Sequence, residues 1–140
     1  MSLDEVKIVT LPKFLDIRGN LSVIEECKDI PFDIKRAYWI YDVPGGEKRG
    51  GHAYKDNREF IVALSGSFDV VIDDGSSRKN YSLNRSYYGL YVPCGLWREM
   101  ENFSTNSFAI ILASAGYDED DYVYDYSEFI LRTEHEVFLK

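Results

Sequence analysis

Among the residues of this chain that can do chemistry, one histidine stands inside a run of polar and small neighbours. The run is Arg49-Gly50-Gly51-His52-Ala53-Tyr54-Lys55-Asp56-Asn57-Arg58-Glu59, closed by Gly66. A second block comes later in the chain, Gly89-x3-Pro93-x-Gly95-x2-Arg98-x3-Asn102. His52 is the one side chain of the first block whose ordinary pKa lies near neutrality, which makes it the natural acid–base group. Tyr38 and Tyr54 can relay a proton or donate one to a substrate oxygen; they read equally well as packing residues with satisfied hydroxyls. The other histidine, His135, lies in the polar stretch Glu134-His135-Glu136 and reads as solvated. Arg18 stands in a tight Arg-Gly-Asn turn, Arg36 follows Lys35 at the start of an apolar run, and Arg49 precedes the Gly-Gly pair. A guanidinium fork suits bidentate recognition of phosphate or pyrophosphate. Each arginine taken alone reads as a surface charge. Three of them beside turns around a single histidine, in an acidic chain, point to a phosphorylated substrate. Trp97 and the tyrosines offer stacking faces for a base or a sugar.

These groups need a scaffold, and the sequence describes one. A chain of 140 residues is one domain, spanning 1–140, with enough length for a genuine core. With 45% hydrophobic residues, disorder is excluded. The formal net charge of −8 argues against general binding of nucleic acid or anionic membranes, though not against a local basic pocket. No apolar run approaches the roughly 18 residues of a membrane span, and Met1 to Leu11 lacks the apolar centre of a secretion signal. Two cysteines, Cys27 and Cys94, are too few for a disulfide framework and read as reduced thiols of a cytoplasmic protein.

Short apolar, β-branched or aromatic runs recur at Val6–Thr10, Leu21–Glu25, Ala37–Asp42, Phe60–Leu64, Phe68–Ile72, Tyr81–Leu83, Gly89–Val92 and Phe108–Ala113. Turn residues separate them, and Asp74-Gly75 reads as a hairpin connection. Many short strands at such spacing predict an all-β sandwich or barrel. Trp39, Tyr41, Tyr87 and Tyr91 read as strand packing. Residues 118–132 differ in texture: Tyr122, Tyr126, Phe129 and Ile130 fall at helical spacing behind four acids. They predict a C-terminal helix packed outside the barrel.

The two glycine-framed blocks resemble the two motifs of cupins, and the resemblance implies a jelly-roll β-barrel with His52 pointing into it. In that pattern Tyr54 stands where a second histidine ligand is usual, and Arg98 stands where a third is. A transition metal needs several nitrogen or carboxylate ligands converging on one point. A guanidinium has no free lone pair and would repel a cation. The expectation is therefore a metal-free site, with Glu59 either lining it or serving as a structural carboxylate that holds a neighbouring arginine.

A closer resemblance runs from about Phe14 to Phe129. Its carriers include Asp16-Ile17-Arg18-Gly19-Asn20-Leu21, Ile30-Pro31-Phe32-Asp33-Ile34-Lys35-Arg36-Ala37-Tyr38, Trp97-Arg98-Glu99-Met100 and Tyr117-Asp118-Glu119-Asp120-Asp121-Tyr122. By these residues the sequence is similar to the sugar-nucleotide 3,4-ketoisomerases, the FdtA/QdtA-like cupins acting on dTDP-4-oxo-6-deoxyglucose in deoxyamino-sugar pathways for surface polysaccharides. The resemblance implies a homodimer with exchanged N-terminal strands, no cofactor, and bound thymidine diphosphate. It implies His52 as catalytic base, with Arg18, Arg36 and Arg49 near the pyrophosphate and sugar and Tyr38 and Trp97 in the pocket. Members usually carry histidine where this chain has Tyr54. One subgroup pairs arginine with histidine at positions 18 and 98, another pairs tyrosine with arginine, and this chain has arginine at both.

The implied chemistry moves the ketone from carbon 4 to carbon 3. A base takes the carbon 3 proton, an enediolate forms, and the proton returns at carbon 4, with Arg18, Arg98, Tyr38 and Tyr54 as candidates to stabilise the oxyanion. Two other readings remain at this level: a non-catalytic sugar-nucleotide-binding cupin, and a metal-dependent cupin enzyme using His52, Tyr54 and Glu59.

Overall fold

The computed structural model describes residues 2–139, with side chains described as far as residue 135; Met1 and Lys140, the ends of the expected domain, lie outside the described residues. Twelve strands alternate with turns before a single α-helix. They are β1 (Lys7–Thr10), β2 (Lys13–Phe14), β3 (Leu21–Ser22), β4 (Arg36–Tyr41), β5 (Arg49–Tyr54), β6 (Glu59–Ser65), β7 (Phe68–Asp73), β8 (Arg78–Leu83), β9 (Tyr88–Val92), β10 (Trp97–Glu101), β11 (Phe108–Ala113) and β12 (Tyr122–Val123), with α1 (Tyr126–Leu139) after them.

Two five-stranded antiparallel sheets face each other. One has the order β1-β9-β6-β11-β4, the other β12-β5-β10-β7-β8, and β2 and β3 form a separate hairpin arm. Among the described residues no ladder joins the two sheets, so the cupin jelly roll is a flattened sandwich rather than one continuous closed barrel. Its centre is the apolar layer between the sheets, where Ile61, Phe68, Val70, Ile72, Leu83, Leu90, Met100 and Ile111 are fully buried. Each such side chain contributes roughly 1.5–3 kcal/mol on leaving water.

The alternation of side chains across a strand explains the run Phe60–Leu64. Ile61 and Ala63 face the central layer. Phe60 and Val62 face outward, into a second cluster with Leu11, Ile30, Phe32 and Leu112. A strand covered on both sides reads as unbroken apolar sequence. Gly89 permits the crowding behind Phe60, because a Cβ there would sit 2.5 Å from Phe60 Cζ and 2.7 Å from the Ile61 carbonyl.

The helix begins later than the composition predicts. Asp118 caps a single 3-10 turn, Glu119–Asp121, and Tyr122–Val123 then pairs with β5 as Tyr122↔Tyr54 and Val123↔Ala53. The acids are spent on loops: the Asp121 carboxylate accepts from the backbone N–H of Asp56 at 2.8 Å and of Asn57 at 3.1 Å. Asp125 performs the capping role, accepting from Ser127 N–H at 2.8 Å, before α1 lays Phe129 over the outer face of β5 and β10. Strands β5 and β10 are absent from the apolar-run reading, because His52, Tyr54 and Arg98 interrupt the apolar pattern at their inward positions, leaving Met100 as the core residue of β10.

Candidate active site

The site lies where the two sheets converge. From the first sheet, β4 sends Arg36, Tyr38 and Ile40 inward and β6 contributes Glu59; from the second, β5 supplies His52 and Tyr54, and β10 supplies Arg98. The β5–β10 register explains the aim of the histidine. His52 pairs with Arg98 and Arg49 pairs with Met100, so Gly50 and Gly51 together oppose the single residue Glu99. This is a β-bulge, and it re-aims the side chains beyond it. Gly50 holds φ +74, a conformation that suits glycine, and a Cβ at that point would lie 2.6 Å from Arg98 Nη1.

At the floor of the site sits a buried ion pair. Arg98, 2% exposed, brings Nε to 2.6 Å from Oε1 of Glu59, itself 1% exposed. The approach is close but poorly aligned for a hydrogen bond, so it is an ion pair first. Tyr38 donates to Glu59 Oε2 at 2.5 Å and accepts from Arg98 Nη2 at 2.7 Å. Burial works against the charge of Arg98, and Glu59 beside it more than restores that charge. Among the described residues, Nη1 of Arg98 and Nε of Arg36 are buried with no hydrogen-bond partner, and both residues line the cavity. Two guanidinium groups with unsatisfied donors beside one cavity suit an acceptor-rich or anionic ligand.

His52 stands above this floor, 5% exposed. Its Nδ1 lies 3.1 Å from the Gly50 carbonyl, which can only accept, so Nδ1 carries the proton and Nε2 holds the free lone pair. Nε2 faces the Tyr54 hydroxyl at 3.3 Å, and that hydroxyl also reaches Glu59 Oε2 at 3.1 Å. Burial and then the charge of Arg98 push the imidazole pKa down to about 3, so the ring is neutral near neutral pH. Burial pushes the Tyr38 and Tyr54 phenols up, keeping both as proton donors near neutrality.

The cavity has a volume of about 330 Å³ and is completed by Arg49, Gly50, Tyr117 and Tyr122. The guanidinium of Arg36 lies over the rings of Tyr38 and Tyr117, at 5.4 and 5.7 Å. A larger depression of about 410 Å³ opens alongside, shares Ile40 and Arg49 with the site, and holds neither the histidine nor an unsatisfied guanidinium. The smaller cavity is therefore the candidate site. Among the described residues no group of three or more His, Cys, Asp or Glu side chains is disposed to hold a metal ion.

The chain matches the model of the FdtA family, described as WxcM-like, C-terminal, over residues 4–134. The chain belongs to the FdtA family. It is 44% identical over 125 residues to the TDP-4-oxo-6-deoxy-alpha-D-glucose-3,4-oxoisomerase of Aneurinibacillus thermoaerophilus, covering 89% of this chain and 90% of that protein. Its fold is similar to a 3,4-ketoisomerase from Helicobacter canadensis, with TM-score 0.90, 39% identity, and coverage of 93% of this chain and 98% of that one. It is similar too to the sugar 3,4-ketoisomerase QdtA from Thermoanaerobacterium thermosaccharolyticum in complex with TDP, with TM-score 0.93, 34% identity, and coverage of 96% and 98%.

In this FdtA-family chain the structure gathers His52, Tyr54, Tyr38, Arg98, Arg36 and Arg49 around one cavity. It sets three other sequence-derived candidates elsewhere. Glu59 is not among the residues lining the cavity and pairs with Arg98 behind it. Trp97 does not enter the pocket: next to inward Arg98 it must point outward, where it packs edge-on to Tyr126 at 5.2 Å beneath α1 and donates to Glu99 at 3.0 Å. Arg18 lies on the β2–β3 arm, its side chain 86% exposed and paired with Asp16 at 2.7 Å, outside the cavity of its own chain. Tyr117 and Tyr122 line the cavity, and sequence reasoning misses them as site residues because the stretch around Tyr122 reads as helical. The period-two pair Tyr122 and Tyr124 is the available signal.

Proposed function

We propose that this chain moves the ketone of a TDP-linked 4-oxo-6-deoxyglucose from carbon 4 to carbon 3. The observation that carries the reading is the neutral His52 imidazole, its Nε2 free as a base, sharing a cavity with the unsatisfied Nη1 of buried Arg98. Nε2 removes the carbon 3 proton, which the neighbouring carbonyl acidifies. The electrons move onto the carbon 4 oxygen, and Arg98 stabilises the enediolate with a donor already in place. The imidazolium returns its proton to carbon 4. One hydroxyl proton must also pass from the carbon 3 oxygen to the carbon 4 oxygen. Tyr38 can exchange it, because its phenol stays protonated and Arg98 and Glu59 fix its hydroxyl on either side. Tyr54 takes the place of the family's usual second histidine, its one proton shared between Nε2 and Glu59 Oε2. When Nε2 is protonated, the Tyr54 hydroxyl turns towards Glu59 and accepts from the ring. Arg36 and Arg49 hold the diphosphate.

In this reading the protein is a cytoplasmic homodimer. Phe14, Leu15 and Leu21 on the β2–β3 arm are mostly exposed and Ile17 is 105% exposed, an apolar surface that a second copy covers. An arm exchanged with that copy carries Arg18 to the neighbouring cavity. Incubation with TDP-4-oxo-6-deoxyglucose, read out by carbon NMR, tests the function. The expected result is a 3-oxo product; unchanged substrate in the presence of tightly bound TDP would leave only a binding protein.

A further inference from the structure

A base that exchanges protons with carbon must present its lone pair in a fixed plane, and the imidazole here has more holding it than its two hydrogen-bond partners. Nδ1 has one carbonyl partner and Nε2 a long contact to a hydroxyl, both lying near the ring's edge. The faces are held by tyrosines. The Tyr122 ring lies against His52 with centroids 5.1 Å apart and planes 14° from parallel. Tyr124 lies beside this pair, nearly parallel to both rings, with centroids 5.1 Å from Tyr122 and 6.1 Å from His52, and Tyr54 meets the imidazole edge-on at 4.8 Å and 63°. Tyr124 is 56% exposed, so it borders the cluster on the side of water.

The stacking ring is itself firmly placed. Val123, next to it, is 2% exposed beneath the helix and pairs with Ala53. On the other side, Asp121 takes two backbone donors from residues 56 and 57, and its carbonyl takes Lys55 N–H at 2.9 Å. Backbone pairing sets Tyr122 directly across from Tyr54, so one two-residue strand ties together the two rings nearest His52. The flat face also suits the imidazolium formed during turnover, since a ring's negative face attracts a cation stacked on it.

We propose that Tyr122 is a positioning residue for His52: its ring, held by β12 and flanked by Tyr124, sets the plane in which Nε2 meets the substrate. The inference rests on the isomerase reading for its kinetic arm only. Tyr122→Leu removes the face and is expected to lower kcat about 10- to 100-fold, the scale of a small misplacement, with TDP affinity within about threefold. Tyr122→Phe keeps the face and is expected to rescue most of that loss. Two spectroscopic readouts need no substrate. In the unmodified protein the carbon-bound ring protons of His52 are expected upfield, from the ring current of Tyr122. Nitrogen NMR is expected to show one tautomer, protonated at Nδ1, which becomes a mixture in Tyr122→Leu. The proposal is overturned by His52 ring protons at ordinary positions, by a single unchanged tautomer in Tyr122→Leu, or by equal losses of kcat in the leucine and phenylalanine variants. Absence of turnover in the unmodified protein would sink the isomerase reading and leave the spectroscopic tests standing.

Discussion

At the scale of single residues, the site is a buried charge pair with a neutral base above it. The pair is expensive to break. Glu59→Gln leaves the Arg98 guanidinium buried without its counter-charge, and the expected loss is about 3–5 kcal/mol of stability by urea unfolding. Adding Arg98→Met should recover a large part of that loss, since two apolar or neutral groups need no counter-charge; no recovery would mean the pair is not the cause. The histidine makes a second, pH-dependent contribution. Its pKa is about 3 in the folded chain against 6.5 for the free side chain, so between those values the unfolded chain binds a proton the folded chain does not. The stability contributed by neutral His52 is thus fully present above the higher value and falls as pH drops towards the lower one, by about 1.4 kcal/mol per unit. A urea series run from neutral pH down to about pH 4 should show that slope in the unmodified protein and a shallower one in His52→Gln, with the slopes compared as a difference. Equal slopes would place the titration elsewhere. Much of this chemistry is legible in the sequence. A lone histidine in a glycine-framed run points to a base, and an arginine in a ligand position points away from metal. Whether Glu59 faces the ligand or the arginine depends on the register between sheets, which no local pattern encodes.

Individual elements turn those residues into a site. The bulge at Gly50 and Gly51 lets β5 turn His52 inward while Ala53 packs outward under the helix. Gly50→Ala must place a Cβ 2.6 Å from Arg98 Nη1 on a backbone with φ +74. The expected result is a loss of about 1–3 kcal/mol in stability and at least tenfold in turnover, because the guanidinium proposed to meet the substrate has to move. Normal turnover would show that Arg98 Nη1 does not act there. Strand β12 is the element that local reading misplaces. Four acids ahead of aromatics at helical spacing favour a helix start, but here Asp118 caps a 3-10 turn and Asp121 satisfies the backbone donors of Asp56 and Asn57. That satisfaction comes from residues more than sixty positions away, and it outweighs local propensity. The apolar strands are legible because their side chains face a core; β5 and β10 are not, because His52, Tyr54 and Arg98 break their apolar pattern.

Across the whole molecule, function needs two sheets and, on our proposal, two chains. The cavity draws on both sheets, so its geometry depends on the apolar layer that sets their separation. The β2–β3 arm leaves Ile17 and its neighbours open to solvent, and Arg18 is far from its own cavity. Light scattering coupled to size exclusion should give twice the chain mass at micromolar concentration. Arg18→Ala should weaken sugar-nucleotide binding or turnover without changing that mass, while a monomer would remove the route by which Arg18 reaches any site. The trace of this arrangement in the sequence is indirect: Arg18 sits in a turn beside apolar residues, which reads as an ordinary surface until the fold shows nothing covering them.

The account turns on one imidazole taking hydrogen from carbon 3. Turnover of substrate carrying deuterium at carbon 3, monitored by NMR for the protein and its His52→Asn variant side by side, tests this most directly. The protein should clear deuterium from carbon 3 as the ketone arrives there. The variant should keep the deuterium and form no 3-oxo sugar, while binding TDP within about tenfold of normal. Deuterium loss or product formation at an undiminished rate in the variant would contradict the account.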